Sequence, residues 1–207
     1  MVPRILSALV LAGAPLGAWA FTVAIAPASP QEVYLQVGVG GFTGNYNVGG
    51  TPGNNATVNK ASVTVAAAAV GNGTAQALST DSSIGASPYD GYIFCNTPAQ
   101  MYIGGFYRRT NSGSNTATVT ATVPAALVNA SGDQIAFSRL SWTTSGNGDT
   151  GGQPFPAGTF VSGGVQTVGT IAQNQWAESC WTFRYSNTTV PPQGTYTGRV
   201  LYTVTAP

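Results

Sequence analysis

The chain has 207 residues, and only 6% of them are charged: seven are Lys or Arg and six are Asp or Glu. Nucleic-acid binding depends on clustered cations that displace counterions, so this near-neutral composition argues against a nucleic-acid partner. The chain has no histidine, which removes the commonest general base and the commonest metal ligand, and we predict no catalytic site, metal ion or other cofactor. The apolar share of 43% is ordinary for a globular protein and argues against disorder.

The first residues have the features of a secretory signal. Arg4 provides a positive charge, residues 5–17 form an uncharged apolar run, and residues 18–20 (Ala-Trp-Ala) fit the small-x-small rule for cleavage. We therefore predict a signal peptide at residues 1–20, a secreted protein, and a mature chain of residues 21–207. The apolar run is too short to cross a bilayer, and no later run is long enough, so no membrane span is expected.

Short segments in which apolar and polar residues alternate follow, a pattern typical of half-buried β-strands. The first segment places Phe21, Val23 and Ile25 on one face. The clearest alternation, of Thr with Ala or Val, lies at residues 116–123. Further strands are predicted at residues 33–39, 62–70, 91–95, 100–107, 135–142, 159–161, 165–168, 176–185 and 195–205.

Interruptions between these segments define the organisation of the chain. Residues 40–55 and 143–156 are rich in Gly and Asn and are predicted to be loops. The apolar set of residues 135–142 changes phase at Ser138 and Arg139, which predicts a β-bulge. About ten short strands and no convincing helix predict an all-β protein, a single Ig-like antiparallel β-sandwich, with two smaller domains as the alternative.

The two cysteines, Cys95 and Cys180, are separated by 85 positions. In a secreted chain they are most simply explained as one disulfide, which forms in oxidising compartments. Two free buried thiols are the alternative. Without a histidine to join two cysteines so far apart, a metal site is not expected.

Several side chains in the predicted strands have two interpretations. Trp142 and Trp176 either contact a glycan on the surface or belong to the core, whereas the alternation predicts core positions for four other aromatic residues. Those four are Trp181, Phe183, Tyr196 and Tyr202. Glu178 is the one acid within a predicted strand, and we expect it to pair with an arginine or to be solvated. The pair Arg108–Arg109 is expected at a solvated strand end.

The end of the chain, residues 194–207, resembles the last strand of secreted bacterial β-sandwich subunits, in particular spore coat protein U-like and chaperone–usher fimbrial proteins. The shared features are a Gly-x-Tyr entry, here Gly194 and Tyr196, and an alternating finish of Thr, Val and Tyr. The first strand, residues 21–27, is similar to the N-terminal donor strand of such subunits. The chain departs from these subunits in placing Cys95 in its middle rather than early.

This resemblance implies an incomplete Ig-like fold in which the donor strand of one subunit completes the next. It makes Phe21, Val23 and Ile25 the interaction strand. The implied partners are copies of this chain or related subunits, together with a periplasmic chaperone, in the periplasm or at the surface of a bacterium.

The sequence therefore predicts a non-catalytic structural subunit of a bacterial surface fibre or coat that assembles by pairing of β-strands. The alternative is a secreted carbohydrate-binding module or adhesin in which Trp142 and Trp176 contact the glycan.

Overall fold

The structure, a computed structural model, describes residues 22–53, 57–93, 95–110, 113–146 and 152–207. The predicted signal peptide and Phe21 lie outside the described residues. Within them the fold is all-β and antiparallel, as predicted, and the only helical segments are two 3-10 turns at Ala67–Ala69 and Phe137–Arg139. None of the helical turns in these ranges is long and apolar enough to cross a membrane.

The described ranges contain sixteen strands where about ten were expected, because several pairings involve only two to four residues and leave no alternation in the sequence. The strands are β1 Thr22–Ala24, β2 Glu32–Val37, β3 Phe42–Asn45, β4 Gly49–Pro52, β5 Ala61–Ser62, β6 Gln76–Ala77, β7 Ser79–Thr80, β8 Met101–Arg108, β9 Thr116–Val123, β10 Ala126–Val128, β11 Gln134–Ala136, β12 Leu140–Ser145, β13 Gly158–Thr159, β14 Gly164–Ala172, β15 Gln175–Tyr185 and β16 Leu201–Thr205.

Three sequence predictions are corrected at this level. The alanine-rich stretch predicted as a strand at residues 62–70 contains a 3-10 turn at Ala67–Ala69. The change of phase near Ser138 comes from the 3-10 turn Phe137–Arg139 between β11 and β12, and not from a β-bulge. Within the Gly- and Asn-rich segment 40–55, predicted to be a loop, residues 42–52 form the antiparallel hairpin β3–β4.

The larger sheet is organised around β15, and its strands run in the order β13-β12-β15-β8-β2. Two short strands, β1 and β6, also pair with β15. Since β8 and β1 pair with the same residues of β15, they lie on opposite edges of it. The edge that carries β1 is the one that β12 occupies further along, and the edge that carries β8 also carries β6.

The smaller sheet has the order β14-β9-β16 and packs against one face of the larger sheet. The alternation in β9 explains the packing, because its Ala and Val side chains are buried while none of its four Thr side chains is. Trp181 of β15 contacts Tyr202 of β16 across this core, with ring centroids 5.8 Å apart. Of the four aromatic residues predicted to be core, Trp181 and Phe183 are buried, and Tyr196 and Tyr202 pack against the cluster from its margin.

The other face of the larger sheet is also covered. Phe42 and Tyr46, from the hairpin β3–β4 and its turn, pack over Tyr34, Phe106 and Trp176. A sheet covered on both faces has few exposed positions, and all eight residues of β8 are buried. This second apolar layer forms the cluster that the N-terminal strand contacts.

The predicted disulfide is confirmed: Cys95 is bonded to Cys180 of β15, with the two Cα atoms 5.5 Å apart. The bond fastens the segment before β8 onto the second apolar layer. Disulfides of this kind are typical of an oxidising compartment outside the cytoplasm. For a closed loop of this length, the chain-entropy model assigns the cross-link about 4.5 kcal/mol of stability.

Candidate interaction site at the N-terminal strand

The N-terminal strand is paired within its own chain in this structure. Thr22, Val23 and Ala24 of β1 lie opposite Ala177, Trp176 and Gln175 of β15 in antiparallel register. The backbone N–H of Ile25 continues the ladder by donating to the carbonyl oxygen of Asn174 at 2.9 Å. The strand thus pairs over a short length with one edge of the larger sheet.

The buried face of this segment is the one that the sequence predicts. Ile25 is 6% exposed, and Val23 packs against the same cluster from its margin. Beneath them lie the aromatic residues Trp176, Phe106 and Tyr34. Burying a branched aliphatic side chain contributes roughly 1.5–3 kcal/mol to stability. The pairing of β1 with β15 therefore depends mainly on the side chains of Val23 and Ile25. Phe21, the third residue of the predicted interaction strand, lies outside the described residues.

The strand β1 occupies an edge that β12 leaves uncovered. β12 pairs with Cys180–Tyr185 of β15, and β1 pairs with residues 175–177, so that only Glu178 and Ser179 separate the two ladders. Both strands run antiparallel to β15 and therefore in the same direction. β1 is consequently an end-to-end continuation of β12 along one edge of the central strand.

Arg108 at the end of β8 holds the chain directly after β1. Its Nε donates to the carbonyl oxygen of Ala26 at 2.7 Å and its Nη2 donates to that of Pro27 at 3.3 Å. Its Nη1 forms an ion pair with Glu32 at 2.8 Å. Because Arg108 is 2% exposed, the prediction that it lies at a solvated strand end is wrong.

Glu178 lies beneath the same edge and is fully buried. Its Oε2 accepts hydrogen bonds from the Tyr102 hydroxyl at 2.7 Å and from the Ser87 hydroxyl at 3.0 Å. Burial raises the pKa of the Glu178 carboxyl, and burial together with the neighbouring Glu178 raises the pKa of Tyr102. The expectation that Glu178 pairs with an arginine or is solvated is therefore wrong.

The lack of a side chain at Gly104 makes room for the hydrogen bond between Tyr102 and Glu178. A Cβ atom at Gly104 would collide with the Tyr102 hydroxyl oxygen and lie 3.0 Å from Cβ of Glu178. Adjacent glycines within a strand are a sequence signal of close approach, and Gly104–Gly105 could have indicated it. Nothing in the local sequence indicated the hydrogen bonds of Arg108, because its partners are 76 or more positions away.

Trp142 and Trp176 belong to the core. Trp142 is 3% exposed and donates from its indole N–H to the carbonyl oxygen of Pro156 at 2.8 Å. Trp176 is fully buried, with the Tyr46 ring 4.8 Å and the Tyr89 ring 5.7 Å from its own. Neither indole has a face open to a sugar, so the core interpretation is the correct one.

The described ranges contain no group of three or more acidic or cysteine side chains that could hold a metal ion. No protein-family model matches the sequence, and no curated protein is significantly similar to it. The function must therefore be inferred from the fold and from the pairing of β1 with β15.

Proposed function

We propose that this protein is a non-catalytic structural subunit of a bacterial surface fibre or coat, and that it assembles when β1 of one copy pairs with β15 of the next. The observation that carries the proposal is the position of β1: three residues in the N-terminal part of the chain pair with a sheet edge beside an aromatic cluster. The same pairing can form between chains, since an identical element can be exchanged between copies.

Exchange of β1 between two copies requires little rearrangement of the rest of the chain. Arg108 holds Ala26 and Pro27, which follow β1, in place. Rotation of the backbone just before Ala26 is therefore enough to move β1 away from β15 of its own chain. The hydrogen bonds and side-chain packing that break within the chain form again with the neighbour, and the equilibrium then depends on local concentration. The near-zero net charge of the chain offers little repulsion between copies.

The edge of β15 that β1 covers also accounts for the proposed chaperone. While β1 is detached, residues 175–177 of β15 lack a partner strand on that edge, and an unpaired strand edge is prone to aggregation. A periplasmic chaperone that covers this edge until assembly would prevent aggregation. The disulfide and the predicted signal peptide are consistent with folding in the periplasm and display at the cell surface.

Cross-linking distinguishes pairing within a chain from pairing between chains. Ala24 and Gln175 are directly opposite, and because Ile25 bonds to Asn174, they form the non-hydrogen-bonded type of pair, with Cα atoms about 4.5 Å apart, which suits a disulfide. In the Ala24→Cys/Gln175→Cys variant, we expect cross-linked oligomers on a non-reducing gel.

The two single variants, Ala24→Cys and Gln175→Cys, are the matched controls, and each should form no ladder of oligomers. If the double variant assembled normally with all of its engineered disulfides inside single chains, exchange of β1 would be excluded as the mode of assembly.

A further inference from the structure

A second edge of the larger sheet, along β2, has no partner strand in the part of the chain that the structure describes. β2 pairs with β8 along one edge, and among the described residues no strand pairs with its other edge. An open cleft of about 360 Å³ runs beside residues 34–37 of this strand. Gly40, Gly41 and Gly53 help to line the cleft and leave space beside the edge.

The register identifies which backbone groups face outward. The N–H of Gly38 donates to the carbonyl oxygen of Tyr102 at 2.7 Å, and Val37 lies opposite Ile103. Because hydrogen-bonded and non-hydrogen-bonded pairs alternate in an antiparallel ladder, the even-numbered residues of β2 bond to β8. The N–H and C=O groups of Val33, Leu35 and Val37 therefore point to the open edge.

The strand itself lacks the sequence features that usually prevent pairing. Exposed edges are normally protected by lysine, proline or a bulge, and residues 33–37 contain no charge and no proline. Their register with β8 is continuous, without a bulge. The one charge in the strand, on Glu32, is neutralised by Arg108 at 2.8 Å.

We propose that the open edge of β2 binds β2 of a second copy of this chain, antiparallel and centred on Leu35. The sequence of residues 33–37, Val-Tyr-Leu-Gln-Val, is self-complementary in this arrangement. Each Val33 lies opposite the second copy's Val37, and each Tyr34 lies opposite the second copy's Gln36. The two Leu35 residues exchange a pair of backbone hydrogen bonds at the two-fold axis.

Side-chain placement supports the same arrangement. Val33, Leu35 and Val37 pack against the core between the sheets, so pairing extends this apolar face across the two-fold axis. Tyr34 and Gln36 lie on the other face, where the Tyr34 hydroxyl already donates to Gln36 at 2.7 Å. This interface is separate from the one proposed for β1, because it uses another strand and closes a dimer, whereas exchange of β1 links copies head to tail.

Hydrogen exchange of the unaltered protein tests the pairing directly. Within residues 33–37 of a monomer, the ladder with β8 protects the N–H groups of Tyr34 and Gln36 but not those of Val33, Leu35 and Val37. In the dimer, the N–H groups of Val33, Leu35 and Val37 are protected as well, so their exchange should slow by about tenfold or more as concentration rises. Rapid exchange of these three groups at every concentration would overturn the proposal.

A proline variant supplies the second test. Leu35→Pro removes an N–H that points away from β8, and its ring blocks the approach of a second strand. Leu35→Ala is the matched control, since it removes a similar part of the core packing but keeps the N–H. We expect sedimentation to give a dimer for Leu35→Ala and half that mass for Leu35→Pro, with both variants folded by circular dichroism.

The locked Ala24→Cys/Gln175→Cys chain, oxidised as a monomer, separates the two proposals, because it cannot exchange β1 but can still pair through β2. Dimerisation of this chain that Leu35→Pro abolishes supports the β2 interface whether or not β1 exchanges. A dimer that survives Leu35→Pro, or pairing of β2 with some other protein's strand and never with itself, would contradict it.

Discussion

At the scale of single residues, the buried carboxyl of Glu178 predicts how stability depends on pH. Burial raises its pKa in the folded chain above the ordinary value of 4.5, so the folded state binds the proton more tightly than the unfolded state does. The contribution of Glu178 to stability is therefore complete below the ordinary pKa and is lost as pH rises through the folded pKa. Tyr102, Ser87 and Asp90 are polar groups that act on this carboxyl.

Replacing Glu178 by glutamine should remove this dependence. The amide oxygen still accepts from Tyr102 and Ser87, but no charge has to be buried, so Glu178→Gln should stabilise the protein at neutral pH by on the order of 1 kcal/mol. Urea unfolding between about pH 4 and about pH 8 measures the difference, which should shrink towards acid pH. Parallel stability curves for the two proteins would contradict this account.

The adjacent arginines at the end of β8 allow a matched comparison. Arg108→Gln leaves the carboxylate of Glu32 and the carbonyl groups of Ala26 and Pro27 without their donor, and we expect a loss of about 3 kcal/mol. The half-buried side chain of Arg109 bonds to the Tyr107 hydroxyl and to the carbonyl oxygen of Pro207. Because it compensates no buried charge, Arg109→Gln should cost under about 1 kcal/mol. Denaturant unfolding of both variants measures these values. Equal effects would show that Arg108 does not anchor the segment after β1.

At the scale of elements, the position of β1 depends on its two core-facing side chains more than on its three backbone pairings, and Ile25 is the more deeply buried of the two. Ile25→Ala should destabilise the protein by about 2–4 kcal/mol, because a buried branched side chain is removed from the aromatic cluster. Ala24→Ser, on the opposite face of the strand, should change stability by less than about 0.5 kcal/mol. Denaturant unfolding gives both values, and limited proteolysis of residues before Pro27 shows whether the strand has detached. Equal free energies of unfolding for Ile25→Ala and Ala24→Ser would mean that Ile25 does not hold β1 in place.

Element by element, the sequence was most informative where the alternation is long. The strand β9 lies at the residues predicted for it, and β15 covers the strand predicted at residues 176–185. Pairings of two to four residues, such as β5 with β7, carry too few side chains to leave a pattern. The hairpin β3–β4 was missed because its side chains pack on aromatic rings supplied by distant strands.

At the scale of the whole molecule, the disulfide joins two distant parts of the chain, and its removal should lower the free energy of unfolding of the whole fold. The Cys95→Ser/Cys180→Ser variant should lose about 4 kcal/mol, since the unfolded chain regains the entropy of an open loop of 85 positions. Thermal unfolding of the wild type with and without a reductant should show a matching fall in Tm. A variant as stable as the wild type would mean that the sheets hold without the cross-link.

The amino-acid sequence by itself determined the all-β class, the disulfide partners and the face of the first strand that is buried, because these depend on composition, cysteine number and local alternation. Only the tertiary structure decided that Trp142 and Trp176 are core, that Arg108 and Glu178 are buried, and which strand edges are occupied. Burial and pairing are set by residues far away in the chain, and the same alternating segment can lie in the middle of a sheet or at its edge. The place of β1 beside β15 and the open edge of β2 are consequences of this long-range packing.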